Sequence, residues 1–216
     1  NTLIYVGAGT SISILLTILM AFVVSRKKLM LKSFLIKMMM LTMFFSGGMI
    51  PTYLMMQDIG IMGTRFSVIL PGLISVTNVI ILRTAFMGIP QGLEECAKID
   101  GANDFIVLFK VIVPLSMPAI AVMVLFYGVG RWNSWFDAFL YLRNRELFPL
   151  QLILREILVE SSTDNMMISL GALNGLDMSE IIKYATIIVS TIPILCIYPL
   201  LQKHFVKGVM IGAIKG

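Results

Sequence analysis

Long apolar runs, broken by short polar stretches, dominate this chain. Five runs are long enough for a helix that crosses a hydrocarbon layer of ~30 Å, which takes about 20 mainly apolar residues. They cover Leu3–Val24, Phe34–Met56, Val68–Met87, Pro114–Leu142 and Ile181–Leu201. A backbone in lipid must satisfy its own hydrogen bonds, so each run is expected to be helical, giving an all-α transmembrane bundle. Glycine and proline punctuate several runs, at Gly47, Gly48, Pro51, Pro71, Gly72, Pro193 and Pro199. In membrane helices these residues permit kinks and close packing.

The connections differ in length and character. Ser25–Ser33 and Gln57–Phe66 are short, whereas Gly88–Val113 is long and amphipathic and Arg143–Glu180 is the longest. Within Gly88–Val113, Pro90 and Gly92 close the preceding span. Leu93, Cys96, Ala97 and Ile99 recur at helical spacing, with Glu94, Glu95 and Lys98 toward the other side. Asp100 is a plausible N-cap for a second short helix, and Gly101 permits a sharp turn before it. Phe105, Leu108, Phe109 and Ile112 form that helix's apolar face, and Pro114 and Pro118 open the next span. The pattern predicts a helix–turn–helix at the membrane surface that presents acidic and small residues to a partner. Leu150–Val159 reads as a further short amphipathic helix.

Composition agrees with lipid as the solvent. Hydrophobic residues make up 58% of 216 and charged residues 13%, against about 25% charged in soluble domains. Mean hydropathy is +0.92. The net charge of +5 is not gathered into a basic domain. Arg26, Lys27, Lys28, Lys32 and Lys37 follow the first span, and Arg83, Lys98, Lys110, Lys203, Lys207 and Lys215 fall on the same side. The smaller set Arg65, Arg131, Arg143, Arg145, Arg155 and Lys183 falls opposite. The excess of Lys and Arg marks the cytoplasmic side, which predicts a cytoplasmic C-terminus, Gly88–Val113 inside and Arg143–Glu180 outside. Asn1 then lies outside, and a further N-terminal span is expected upstream of residue 1. Cys96 and Cys196 sit in different segments and His204 is the single histidine, so neither a disulfide framework nor a multi-histidine metal site is expected. The sequence contains no phosphate loop of the Gly-x-x-x-x-Gly-Lys-Ser/Thr type, so the chain is not itself an ATPase, and no catalytic set points to an enzyme.

The run Glu95-Cys96-Ala97, Asp100-Gly101-Ala102, Ile112-Val113-Pro114 and Pro118 resembles the EAA loop of binding-protein-dependent ABC importer permeases, with Cys96 where alanine is usual. The ending Phe205–Gly216 is similar to that of maltose-type, MalG-like carbohydrate permeases, and Lys183–Val189 with Pro193–Pro199 resembles their LplC/YtcP-like branch. The resemblance implies one permease domain over residues 1–216 with the type I ABC importer fold, six spans in the full family pattern, and no cofactor on this chain. ATP and Mg would sit on two partner ATPase subunits. A second permease, unlike this one, and an extracellular solute-binding protein, in this branch often a lipoprotein, would complete the assembly. By position, Glu94, Glu95, Cys96, Ala97, Asp100, Gly101 and Ala102 would form the coupling surface, with Glu95 pairing an ATPase arginine. The tail with Lys207, Gly208 and Lys215 would reach between the ATPase subunits. The loop about 143–180 would meet the binding protein. The implied cargo is a carbohydrate, an oligosaccharide.

Polar groups inside spans are functional hypotheses by default. Asn78 lies in the third run, and Arg131, Trp132, Asn133, Trp135 and Asp137 cluster in the fourth. Aromatic faces and amide donors suit sugar rings, and these residues are the expected substrate pathway. Interfacial anchoring by the tryptophans and pairing of Arg131 with Asp137 are the structural alternatives. A secondary transporter would call for intramembrane carboxylates, and Asp137 alone qualifies. A permease for a non-sugar solute remains open on the residues alone. The 17 methionines suit adaptable apolar packing better than metal passage.

Overall fold

The computed structural model describes residues 1–26, 30–168 and 181–196, with the side chains of the middle stretch described as far as residue 160. The described residues contain helices and turns and no strand. In chain order the helices are α1 (Thr2–Ser25), α2 (Lys32–Phe44), α3 (Met49–Asp58), α4 (Phe66–Ile69), α5 (Val76–Met87), α6 (Gln91–Ile99), α7 (Asp104–Leu115), α8 (Met117–Asn133), α9 (Phe136–Tyr141), α10 (Leu150–Ile168) and α11 (Ile181–Cys196).

The first helix shows what solvent the fold expects. Its 24 residues reach ~36 Å at 1.5 Å per residue. Its buried side carries Tyr5, Gly9, Ser13, Thr17 and Ala21 at four-residue spacing, while Leu3, Ile4, Ile12, Leu15 and Val23 point outward. A soluble helix has the reverse arrangement. Small and hydroxylated residues inside let α5 and α8 approach α1 closely and offer hydrogen bonds, as membrane helix packing requires. Tyr127 of α8 shows the gain. Its hydroxyl accepts the Ser75 N–H at 3.0 Å and shares a hydrogen bond with Thr17 Oγ1 at 2.8 Å, joining three elements.

Three of the five predicted runs are not single straight helices. The second breaks into α2 and α3, bent by 110°. Gly48 supplies the break, because its φ of +86° is open to glycine and strained for other residues. The third contains only the four-residue α4 and the 12-residue α5. Pro71 and Gly72, the latter at φ +68°, stop α4, and the Ser75 side chain accepts the Asn78 N–H to cap α5. At ~18 Å, α5 falls short of the hydrocarbon thickness. The fourth begins only at Met117, since the chain bends by 84° between α7 and α8, and it breaks again before α9. The fifth is helical over Ile181–Cys196, and residues 197–201 lie outside the described residues. Among the described residues, α1 alone is long and apolar enough to cross a membrane by itself, rising to three spans if each bent pair counts as one. The amphipathic segment expected at Leu150–Val159 runs on as α10 to Ile168.

Two cores hold the bundle. At one end Ile18, Ala21 and Phe22 of α1 meet Val79, Leu82 and Phe86 of α5, Leu108 and Ile112 of α7, and Ile120 of α8. At the other, Tyr5 packs with Val68, Ile69, Ala138, Leu142 and Leu152. The faces of α2 and α3 remain largely uncovered, with Phe34, Met38, Phe44, Phe45, Met49 and Ile50 exposed.

Candidate functional site

The loop between α5 and α8 folds as a helical hairpin beneath the first core. Helix α6 is strongly amphipathic. It ends at Gly101 (φ +83°), where two backbone bonds close the end: Gly101 N–H to Lys98 C=O at 3.1 Å and Ala102 N–H to Ala97 C=O at 2.9 Å. This paired closure is the glycine-terminated helix end that satisfies otherwise orphaned carbonyls. The next helix is capped by Asn103, whose Oδ1 accepts the Ile106 N–H at 2.8 Å, and not by Asp100, which belongs to the end of α6. The extra turn residues after Gly101 move the cap three positions along. The chain then runs through a π-helical segment, Val107–Ile112, into Pro114, which has no N–H to give to a regular ladder.

Which face of α6 meets the bundle differs from the expectation. Ala97 and, across the turn, Ala102 pack against the core, and Glu94 turns inward to form an ion pair with Arg26 at the end of α1. Leu93, Cys96 and Ile99 face outward, with Ile99 85% exposed. Phe105 and Phe109 are exposed too, and Val107 takes the buried place beside Leu108 and Ile112, because the π turn shifts the register. Glu95 and Asp100 are exposed and have no side-chain partner among the described residues. Lys98 bridges the hairpin to Asp104 at 2.9 Å, and that hydrogen bond and charge hold the Asp104 carboxyl below its ordinary range. The hairpin therefore offers an apolar strip with two free carboxylates, beside the paired charges of Glu94, Lys98 and Asp104. The tail residues Lys207, Gly208 and Lys215, and the later part of the loop about 143–180, lie outside the described residues.

Toward the other end a cavity of about 310 Å³ opens between α1, α4, α5, α8 and α9. Tyr5, Ser75, Asn78, Tyr127, Arg131, Ser134 and Asp137 supply its polar lining. Arg131 reaches across the bundle, donating from Nη1 to Ile69 C=O at 3.2 Å and from Nη2 to Ser13 Oγ at 3.1 Å. Its guanidinium lies so close to Gly9 that a Cβ there would fall 2.6 Å from Cζ and Nε. Asp137 lines the same cavity, but no direct ion pair joins it to Arg131 among the described residues.

The structure brings Asn78, Arg131 and Asp137 to one cavity and separates Trp132, Asn133 and Trp135 from them. Trp132, one position on, points about 100° away around the helix. It is buried toward α11, donating Nε1–H to Ser190 C=O at 3.0 Å. Asn133 is exposed, and Trp135 lies under the Arg155 guanidinium, 3.5 Å from its ring centroid. Tyr5, Ser13, Ser75 and Tyr127 were not foreseen. The four-residue spacing of small and hydroxylated residues in the apolar α1 was the available signal.

An amphipathic surface hairpin under a bundle with polar-lined, broken helices suits a membrane-embedded transport component. The chain belongs to the family described as "binding-protein-dependent transport system inner membrane component", whose model matches residues 2–135, and is a permease subunit of an ATP-binding-cassette importer. It is 44% identical over 208 residues to the polygalacturonan/rhamnogalacturonan transport system permease protein YtcP of Bacillus subtilis (strain 168), covering 96% of this chain and 73% of that protein. It is 40% identical to protein LplC of the same organism, covering 96% and 70%. A solved structure of a bacterial ABC transporter involved in the import of the acidic polysaccharide alginate contains a chain similar in fold. It superposes with a TM-score of 0.83 at 31% identity over 95% of this chain and 73% of that one.

Proposed function

We propose that this chain forms half of the translocation pathway for an oligosaccharide and that its α6–α7 hairpin couples the pathway to ATP hydrolysis on partner subunits. The observation that carries the reading is the outward face of α6, where Leu93, Glu95, Cys96, Ile99 and Asp100 stand exposed beside a frame that is already paired and packed. An apolar strip flanked by carboxylates suits a groove on an ATPase subunit that carries an arginine. The carbohydrate assignment is supported by the names of the similar proteins, and acidic oligosaccharides are the first class to test. The cavity supports it chemically. Tyrosine faces, Ser75, Asn78 and Ser134 can exchange hydrogen bonds with sugar hydroxyls, and Arg131 offers a cation to a uronate. A second, unlike permease would cover the exposed faces of α2 and α3, two ATPase subunits binding ATP and Mg would sit beneath α6, and a solute-binding protein would deliver cargo at the opposite end. The charge asymmetry of the loops supports a cytoplasmic α6 and C-terminus.

Uptake tests this reading. The assembled complex in proteoliposomes, with ATP enclosed on the α6 side, is expected to accumulate labelled acidic oligosaccharides only when the solute-binding protein is present. Accumulation driven by an ion gradient without ATP would contradict it.

A further inference from the structure

Glu94 and Glu95 are sequence neighbours with different environments. Glu95 is exposed, whereas the Glu94 side chain is 16% exposed and paired with Arg26, itself 27% exposed. Arg26 occupies the end of α1, and its guanidinium is fixed from several directions. Nε donates to Phe22 C=O at 3.3 Å and to Ser25 Oγ at 3.2 Å, Nη2 donates to Ser25 Oγ at 3.1 Å, and the group lies 4.2 Å from the Phe22 ring centroid. Nη1 is left for Glu94. Arg83 of α5 ties the same helix end through Val24 C=O at 3.3 Å. The other inward contact of α6 is Ala97, a small apolar side chain that can slide over the core. A charge-assisted hydrogen bond to an immobilised guanidinium is directional and resists sliding.

We propose that the Glu94–Arg26 pair is the strap through which movement of α6 passes directly into α1, which makes Glu94 a positioning residue for coupling and leaves docking to Glu95. This rests on the coupling reading of the hairpin. Helix α1 is suited to receive the movement. It is one unbroken rod, and its far end supplies Tyr5 to the cavity and Ser13 to Arg131, while Thr17 joins Tyr127. From Arg26 to Tyr5 the rod spans ~32 Å. A displacement at its end is thus felt at the cavity without passing through the broken helices α4, α5 and α9.

The test uses the full complex in proteoliposomes and reads ATP hydrolysis and uptake together. Glu94→Gln keeps the size of the side chain and removes its charge. It is expected to retain its ATPase subunits and hydrolyse ATP while uptake per ATP falls at least fivefold. Arg26→Gln should give the same ratio, and the double variant should lose no more than either single one, as two residues acting through one contact do. Unchanged uptake per ATP in Glu94→Gln overturns the proposal, as do losses that multiply in the double variant. Loss of ATPase subunits from Glu94→Gln also overturns it, since Glu94 would then be a docking group. Glu95→Ala, run in parallel, separates the two failures. If it too keeps its subunits and turnover, the coupling reading itself falls. If it loses them while Glu94→Gln stays coupled, only the strap does.

Discussion

The two ends of the bundle manage charge in opposite ways. Under α1, the hairpin pairs Glu94 with Arg26 and Lys98 with Asp104, and leaves Glu95 and Asp100 on an open face. At the cavity, Arg131 is drawn inward, its guanidinium held by a backbone carbonyl and a serine and pressed against a glycine. The first arrangement is a surface prepared for another protein. The second is a polar-lined interior of a kind that small groups such as sugar hydroxyls can enter. The difference predicts unequal tolerance. The cavity end should respond to changes of volume, and the hairpin to changes of charge and backbone conformation.

The largest effect on folding stability is expected where space is least. Gly9→Val would place side-chain atoms on the Arg131 guanidinium. Overpacking of this kind costs about 1–3 kcal/mol, so the purified permease complex should unfold at lower temperature and lose uptake while still binding its ATPase subunits. Full uptake and an unchanged midpoint would show that the cavity end is not rigid. Gly101→Ala comes next. A β-carbon at φ +83° costs about 1–2 kcal/mol, and the loss should appear as weaker retention of ATPase subunits with little change in thermal stability. The reverse pattern would blur the contrast between the two ends.

The smallest effect belongs to Asp104. Its carboxyl is held below the usual range, first by the hydrogen bond from Lys98 and then by that residue's charge. A lowered folded pKa means that the contribution is present above the ordinary carboxylate range, about 3.9, and fades as pH falls through the lowered value. Both partners are mostly exposed, at 53% and 67%, so the pair adds no more than about 0.5 kcal/mol. Asp104→Asn should therefore behave as wild type near neutral pH, as measured by ATPase-subunit retention. Only below about pH 4 should wild type fall to match it.

The ends also differ in how far they could be read from sequence. The hairpin is continuous in the chain, so Glu95, Cys96, Ala97 and Gly101 announce it by spacing alone. Its inward face was misjudged because Glu94 reads as solvated until Arg26, 68 residues earlier, is brought beside it. The cavity draws residues from five helices, and only Asn78, Arg131 and Asp137 stood out as polar groups in apolar runs. Trp132 and Trp135 drew attention by chemistry, but the helical turn sends each to a different neighbour. Hydropathy windows ran across Gly47–Gly48 and Pro71–Gly72, because an average over 20 residues does not register a single residue at positive φ. The small and hydroxylated ridge of α1 packs against both α5 and α8, and its signal lay in periodicity.

The most direct measurement of the central claim is ATP hydrolysis by the reconstituted complex, with and without the solute-binding protein, comparing wild type with Glu95→Ala. Truncating one member of a buried intermolecular charge pair typically costs 2–5 kcal/mol, and tenfold in affinity corresponds to about 1.4 kcal/mol. The variant should therefore lose its ATPase subunits on purification and show at least a tenfold drop in stimulated hydrolysis. Wild-type retention and turnover in the variant would remove α6 from the coupling interface and contradict the account.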